Sequence, residues 1–272
     1  MATTKKVTKV SGSENASQKA TFVPTAEAKR KATQQRIIAG ILWFLAIGAQ
    51  IGAISLLFRL PINMMWIIIL IAVDLVCVII GAIFWKKSNR LDPASKKDKF
   101  KFFMQSQLGL VAAIVAFLPL IIFILTSKNL DGKQKGILGG IAAAALVIAG
   151  LAGTDFNPPS VEEYSKQSAY VQELMGADHV YWTKSGTKYH LYDDCRHLKS
   201  DRTTEIFEGG TVADAYGNNS RIKPDINSLC SDCEKRAAKE KGWTEEQLQQ
   251  AKDKALKAVQ NAEVPSEDET NE

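Results

Sequence analysis

The sequence predicts an α-helical membrane protein with four transmembrane helices, joined to a small α+β zinc-binding cytoplasmic domain. Three observations carry that prediction. Four long apolar runs fall within residues 37–153. Charge divides along the chain: residues 1–153 hold 19 Lys/Arg against 6 Asp/Glu, a net of +13, whereas residues 154–272 hold 15 against 23, a net of −8. In the polar half, His190, Cys195, Cys230 and Cys233 stand at metal-ligand spacing. The whole chain carries +5, but the basic groups flank apolar segments and the polar half is acidic. Nucleic acid is therefore not the expected partner, because neutralising phosphates is the main source of such affinity. Four scattered cysteines are too few for a secreted disulfide framework.

Residues 1–36 mix Lys, Thr, Ser, Ala and Gln and are expected to form a disordered basic tail, with no early apolar stretch of a cleavable signal. The transmembrane domain follows over 37–153, with spans at 37–58, 64–85, 108–125 and 137–153. A hydrocarbon core of roughly 30 Å needs about 20 helical residues, and about 17 still suffice. A domain this small has no means of covering four such runs from water. Lys and Arg number eight over 1–36 and seven over 86–101, against Arg59 alone in the first hairpin and three over 126–135. The positive-inside rule then places the N- and C-termini in the cytoplasm, with membrane lipid around the spans.

Gly48 with Gly52, and Gly136 with Gly140, have small-xxx-small spacing and mark expected close approaches between spans. Pro119 in the third span frees a backbone carbonyl that a neighbour must cover. Asp74 is the one ionisable group at mid-depth. It reads either as a proton or cation site or as a protonated carboxyl hydrogen-bonded to Gln50 or a backbone carbonyl. The second is preferred, since a transport path needs several polar groups.

Beyond the spans, Asn157-Pro158-Pro159 breaks any helix, and Ser160 with Glu163 forms a capping-box pattern that opens a helical connector, 154–178. The zinc-binding domain is assigned to 179–241. Val180-Tyr181-Trp182-Thr183 and residues 187–191 are β-branched and aromatic runs around Gly186, the pattern of a hairpin. Residues 203–207 read as a strand, 211–216 as a short helix, and Cys230-x-x-Cys233 leads into helical composition over 234–241. Thr244 and Gln247 form a second capping box, opening a C-terminal helix and an acidic tail over 242–272.

Zinc takes four N/S ligands in a tetrahedron. Cys230 and Cys233 supply one pair, and His190 with Cys195 the other. His197 is a rival, but its spacing from Cys195 makes joint chelation awkward. A redox reading of Cys-x-x-Cys needs a βαβ context that the sequence lacks. A closed Cys3His shell leaves no position for a water nucleophile, so the expectation is one structural Zn2+. No Ser/His/Asp grouping or phosphate loop is evident, and no enzyme is expected. Arg196, Lys235 or Arg236 are expected to offset the net −1 of three thiolates and one divalent ion.

Tyr189-His190, Cys195, Leu198, Gly210 to Ala215 and Cys230-x-x-Cys233 together resemble the small Ada-type metal-binding domain, over residues 180–233. The version that begins Val-Tyr-Trp-Thr and ends Leu-Cys-x-x-Cys is similar to the C-terminal domain of bacterial multi-span membrane proteins of unknown function. This resemblance implies a hairpin and helix clasped by one zinc, in a multi-pass protein of the bacterial cell membrane. In the Ada repair protein four cysteines hold the metal, and the first accepts a methyl group from DNA phosphotriesters. That position matches His190, and an imidazole cannot replace the thiolate in that transfer, so the resemblance implies the fold without the repair chemistry. The expected function is protein–protein contact or self-association through a structural zinc domain. The alternative is a zinc-gated channel or transporter.

Overall fold

A computed structural model describes residues 6–9, 22–200, 203 and 205–261. The apolar runs wind into four long helices: α1 Ala26–Leu56, α2 Met64–Leu91, α3 Lys99–Thr126 and α4 Gly132–Gly153. Each is long and apolar enough to cross a membrane. Helix α1 begins within the stretch expected to be a disordered tail. Thr25 Oγ1 accepts the Ala28 N–H at 3.1 Å, and the Ala, Lys, Arg and Gln that follow are strong helix formers, so the apolar span extends backwards as helix. Most of the remaining N-terminal tail, and the acidic tail beyond 261, lie outside the described residues. Asp131 opens α4 with a reciprocal capping box to Gln134.

The chain divides into two compact units, one over 30–89 and 100–156, the other over 1–29, 90–99 and 157–272. In the first, Ala46, Ile67, Ile71, Phe117, Leu120, Ala142 and Ala145 share one apolar core. The close approaches fall at different glycines from those expected. A Cβ on Gly109 of α3 would stand 2.7 Å from Gly153 O at the end of α4, and one on Gly81 would strike the Trp43 ring. Gly48, Gly136 and Gly140 face open space, and Gly52 meets only Leu70 at ordinary contact distance. Small-residue spacing marks a smooth helix face but does not say which face a neighbour takes.

Pro119 lies inside α3, and Gln50 Nε2 donates to Val115 O, four residues before it, at 3.1 Å. The freed carbonyl thus has its neighbour. Gln50 was also the expected partner of Asp74, and it is engaged here instead. Asp74 is buried, and neither carboxyl oxygen has a hydrogen-bond partner among the described residues. Lys86 Nζ donates to Ala152 O and Thr154 O at 2.7 Å each, satisfying carbonyls at the C-terminus of α4.

The second unit begins its polar chain with α5 Val161–Met175. Ser160 Oγ caps it by accepting the Glu163 N–H at 3.1 Å, and Gly176 closes it at φ 80°, a backbone region that favours glycine. Strands β1 Lys6–Lys9, β2 Val180–Thr183 and β3 Glu205–Gly210 form a sheet in the order β1-β3-β2, parallel between β1 and β3 and antiparallel between β2 and β3. Helices α6 Val212–Asn218, α7 Ser231–Glu240 and α8 Glu245–Asn261 complete it. The expected hairpin arm at 187–191 is reduced to one bridge, Tyr181 to His190. On its other edge β2 pairs with β3, where the buried Trp182 stacks on Phe207 opposite it, rings 5.7 Å apart and 12° from parallel. Tyr164, Tyr170, Trp182, Tyr189, Leu198 and Tyr216 lead a core that also includes Cys195, Cys230 and Cys233.

Candidate metal centre

Two backbone bridges assemble the cluster. Tyr181 and His190 exchange N–H···O bonds of 2.8 Å in both directions, which fixes His190 beside β2. One residue earlier, Tyr189 donates to Ser228 O and accepts from Cys230 N, both at 2.9 Å. Residues 189–190 are therefore tied on one side to the sheet and on the other to the start of α7. Cys195 follows in a tight turn whose carbonyl accepts the N–H groups of Leu198 at 2.9 Å and Lys199 at 3.2 Å. Cys230 is the N-cap residue of α7 and Cys233 lies in its first turn, where the helix dipole favours thiolate.

The outcome is that one donor atom each from His190, Cys195, Cys230 and Cys233 lies within 4.8 Å of all the others. His190 Nδ1 stands 3.8 Å from Cys233 Sγ. A tetrahedral ion with metal–sulfur bonds of about 2.3 Å has ligand–ligand edges of about 3.8 Å, so small side-chain adjustments close the shell. All four residues are buried, and the three cysteines are free thiols. Backbone N–H groups aim at the sulfurs: His197 at Cys195, Cys233 at Cys230, and Leu191 at Cys233. Such donors stabilise thiolate in a metal knuckle. The donor set by itself favours one thiolate. Hydrogen bonds from Cys233 and His190 pull the Cys230 thiol down to about 3, while Cys233 is pushed far up by that same bond and by burial. Burial also raises Cys195. A divalent ion would displace the remaining thiol protons.

Around the ligands, charged groups bind the two halves together. Asp232, inside the Cys-x-x-Cys turn, accepts from Arg196 at 2.7 Å and from His197 Nε2 at 2.9 Å. These hydrogen bonds and the Arg196 charge hold its carboxyl below the usual range, the His197 bond most of all. Arg236 of α7 reaches back to Asp194 at 2.6 Å and lies 3.9 Å from the Tyr192 ring centroid. His197 is thus outside the donor group, exposed and held by a carboxylate. Arg196 and Arg236, two of the three cations expected to offset the charge of the site, pair with Asp232 and Asp194, whose planar fork matches a guanidinium. His179, expected to be solvated, is exposed, with its ring edge-on to Tyr181. The sequence reading did not single out Asp194 or Asp232, although each lies one residue from a ligand, with opposite charge across the loop.

No family model, curated protein or solved structure matches this chain. What the cluster can do follows from its donors. Three soft sulfurs and one imidazole suit a borderline or soft divalent ion and not calcium or magnesium. Four protein donors fill a tetrahedron and leave no open position for substrate.

Proposed function

We propose that this chain is a multi-pass protein of the bacterial cell membrane, with both termini in the cytoplasm, whose Ada-like polar half is held by one structural Zn2+ and serves protein–protein contact or self-association. One observation carries the zinc assignment: an imidazole and three sulfurs from residues 190–233 converge within 4.8 Å in a buried pocket of N–H donors. Membrane insertion is supported by the four helices and by their exposed apolar side chains, among them Phe44, Ile51, Met65, Ile122 and Leu151. The Lys/Arg bias toward 1–36 and 86–101 supports the orientation. A closed shell and an acidic polar half favour neither catalysis nor nucleic acid, and leave protein contact as the role of the domain.

The full chain purified in detergent is expected to carry about one zinc, as a closed Cys3His site does. Cys230→Ser is expected to release it while the helices stay inserted. Unchanged metal content in that variant overturns the assignment.

The unpartnered Asp74 carboxyl favours one second reading, an ion- or proton-handling bundle under control of the zinc domain. Asp74→Asn in proteoliposomes separates the two. Loss of a measurable flux supports this second reading, and no flux in either protein removes it.

A further inference from the structure

The described sheet has one strand that the core does not need. The core of the second unit draws on α5, β2, β3, α6, α7 and α8, and Val7 and Thr8, the β1 residues whose side chains are described, are not among its members. Val7, the central apolar residue of β1, is 53 % exposed. Strand β1 is held to the outer edge of β3 by a parallel ladder and by Thr8 Oγ1, which donates to Glu205 Oε1 at 2.6 Å. Lys6 stands opposite Glu205 and Lys9 opposite Glu208, with Val7 opposite Ile206 between them. The chain is anchored separately further on, where the Phe22 N–H donates to Ser165 Oγ at 2.7 Å and its ring packs edge-on against Tyr164. Residues from Phe22 onward thus have a hold on the unit that does not depend on β1.

A short, solvent-facing edge strand with a complementary acidic register is the arrangement by which sheet edges capture extended peptides. Main-chain bonds supply affinity there, and alternate side chains supply selectivity. Left bare, the β3 edge would be open to unselective pairing, and a resident strand prevents that.

We propose that the outer edge of β3 is the docking surface for an extended segment of another protein carrying two basic residues three apart, and that Lys6–Lys9 is its intramolecular stand-in. This rests on the protein-contact reading above and names the surface and the partner chemistry. Glu205 and Glu208 select the basic pair, and the ladder over 205–208 takes the partner backbone in the parallel direction. The tethered strand acts as a competitor, so only a partner segment that is longer or locally concentrated opens the edge.

The test uses a fluorescent peptide of residues 2–12 and the zinc-loaded full chain in detergent, beside a variant lacking residues 2–10. The deletion variant is expected to keep its zinc and to bind the peptide at least tenfold more tightly than the full chain. In the deletion background, Glu205→Lys with Glu208→Lys is expected to lose that binding, and a peptide with its lysines replaced by glutamate is not expected to bind. Equal binding to the full chain and the deletion variant, or none to a deletion variant that still holds zinc, overturns the docking edge and leaves the zinc assignment standing. Loss of zinc from Cys230→Ser has no bearing on this edge, so the two failures are distinguishable. Mixing Lys9→Cys chains with Glu208→Cys chains tests self-exchange. Disulfide-linked heterodimers would show that the occupant is a second copy, against the proposal of a different protein.

Discussion

Pro119 has no N–H to give to the carbonyl four residues before it, so α3 leaves Val115 O without its helical partner. Gln50 Nε2 supplies the missing donor from α1. In the membrane setting proposed above no water can take its place, and Gln50→Leu is expected to lower stability by about 1 kcal/mol. Pro119→Ala restores the intrahelical donor, and in that background the same leucine substitution should cost less than half as much. Thermal midpoints of the four proteins in one detergent complete the cycle; an equal cost in both backgrounds would mean that this bond contributes nothing. In the second unit, burial pushes the Asp178 carboxyl up to about 6, with the neighbouring Asp214 adding to the rise and the Ser168 hydroxyl and Val212 N–H opposing it. The folded state therefore holds this proton more tightly than the unfolded chain does. Its contribution favours folding at acid pH and is lost as pH rises through the window from 3.8 to about 6, by an amount on the order of 3 kcal/mol. Asp178→Asn keeps an acceptor for Val212 and cannot ionise, so its melting temperature is expected to gain on the parent as the buffer moves from about pH 5 to pH 8. A constant difference between the two proteins across that range would remove burial of the charge as a factor.

Helices α3 and α4 meet where neither has a side chain. Gly109→Ala and Gly153→Ala would set a Cβ 2.7 Å and 2.5 Å from opposing backbone atoms, which must shift to admit it. Each is expected to cost about 1–3 kcal/mol, as overpacking does. Gly48→Ala and Gly140→Ala meet open space and should match or exceed the parent in thermal midpoint, since alanine is the better helix former. If all four variants melt alike, the α3–α4 crossing is misplaced. This contrast also shows how far the helices were legible beforehand. Apolar run length located all four, because about 20 residues without charge have few other uses, and Pro119 announced a carbonyl in need of a donor. Packing partners were not legible. Glycines at 48 and 136 have the same local signature as those at 109 and 153, and only the neighbouring helix tells them apart. In the sheet, Val180–Thr183 read correctly as a strand, and its expected partner 187–191 meets it through the Tyr181–His190 bridge alone. The pairing on its other edge was not legible, because the Trp182–Phe207 contact lies with a strand more than twenty positions away in sequence.

At the scale of the whole chain, the grouping of His190, Cys195, Cys230 and Cys233 was readable because metal chemistry restricts both residue type and spacing. Cys230 and Cys233 are paired by a helical turn, and His190 and Cys195 are the remaining soft donors within the same small domain. The carboxylate straps at Asp194 and Asp232 were not readable, since exposed acids are common and nothing local shows which guanidinium they meet. The division into two cores has a consequence that can be measured. Core residues of the helical unit run from Ala46 to Ala149, those of the second unit from Tyr164 to Ala255, and the two sets share no member. Three of the four candidate donors, Cys195, Cys230 and Cys233, belong to the second core and none to the first. An ion at that cluster would tie the turn at Cys195 to the start of α7, two stretches far apart in sequence, so part of the domain's folding free energy should come from the metal. Chelation of the full chain in detergent is therefore expected to expose backbone over 179–241 to hydrogen exchange and to protease, while α1 to α4 keep their protection. Added zinc should reverse the change. Equal loss of protection in both units would mean that the cores fold as one, and no loss in either would mean that the cluster is held by its thiols and ion pairs without a metal.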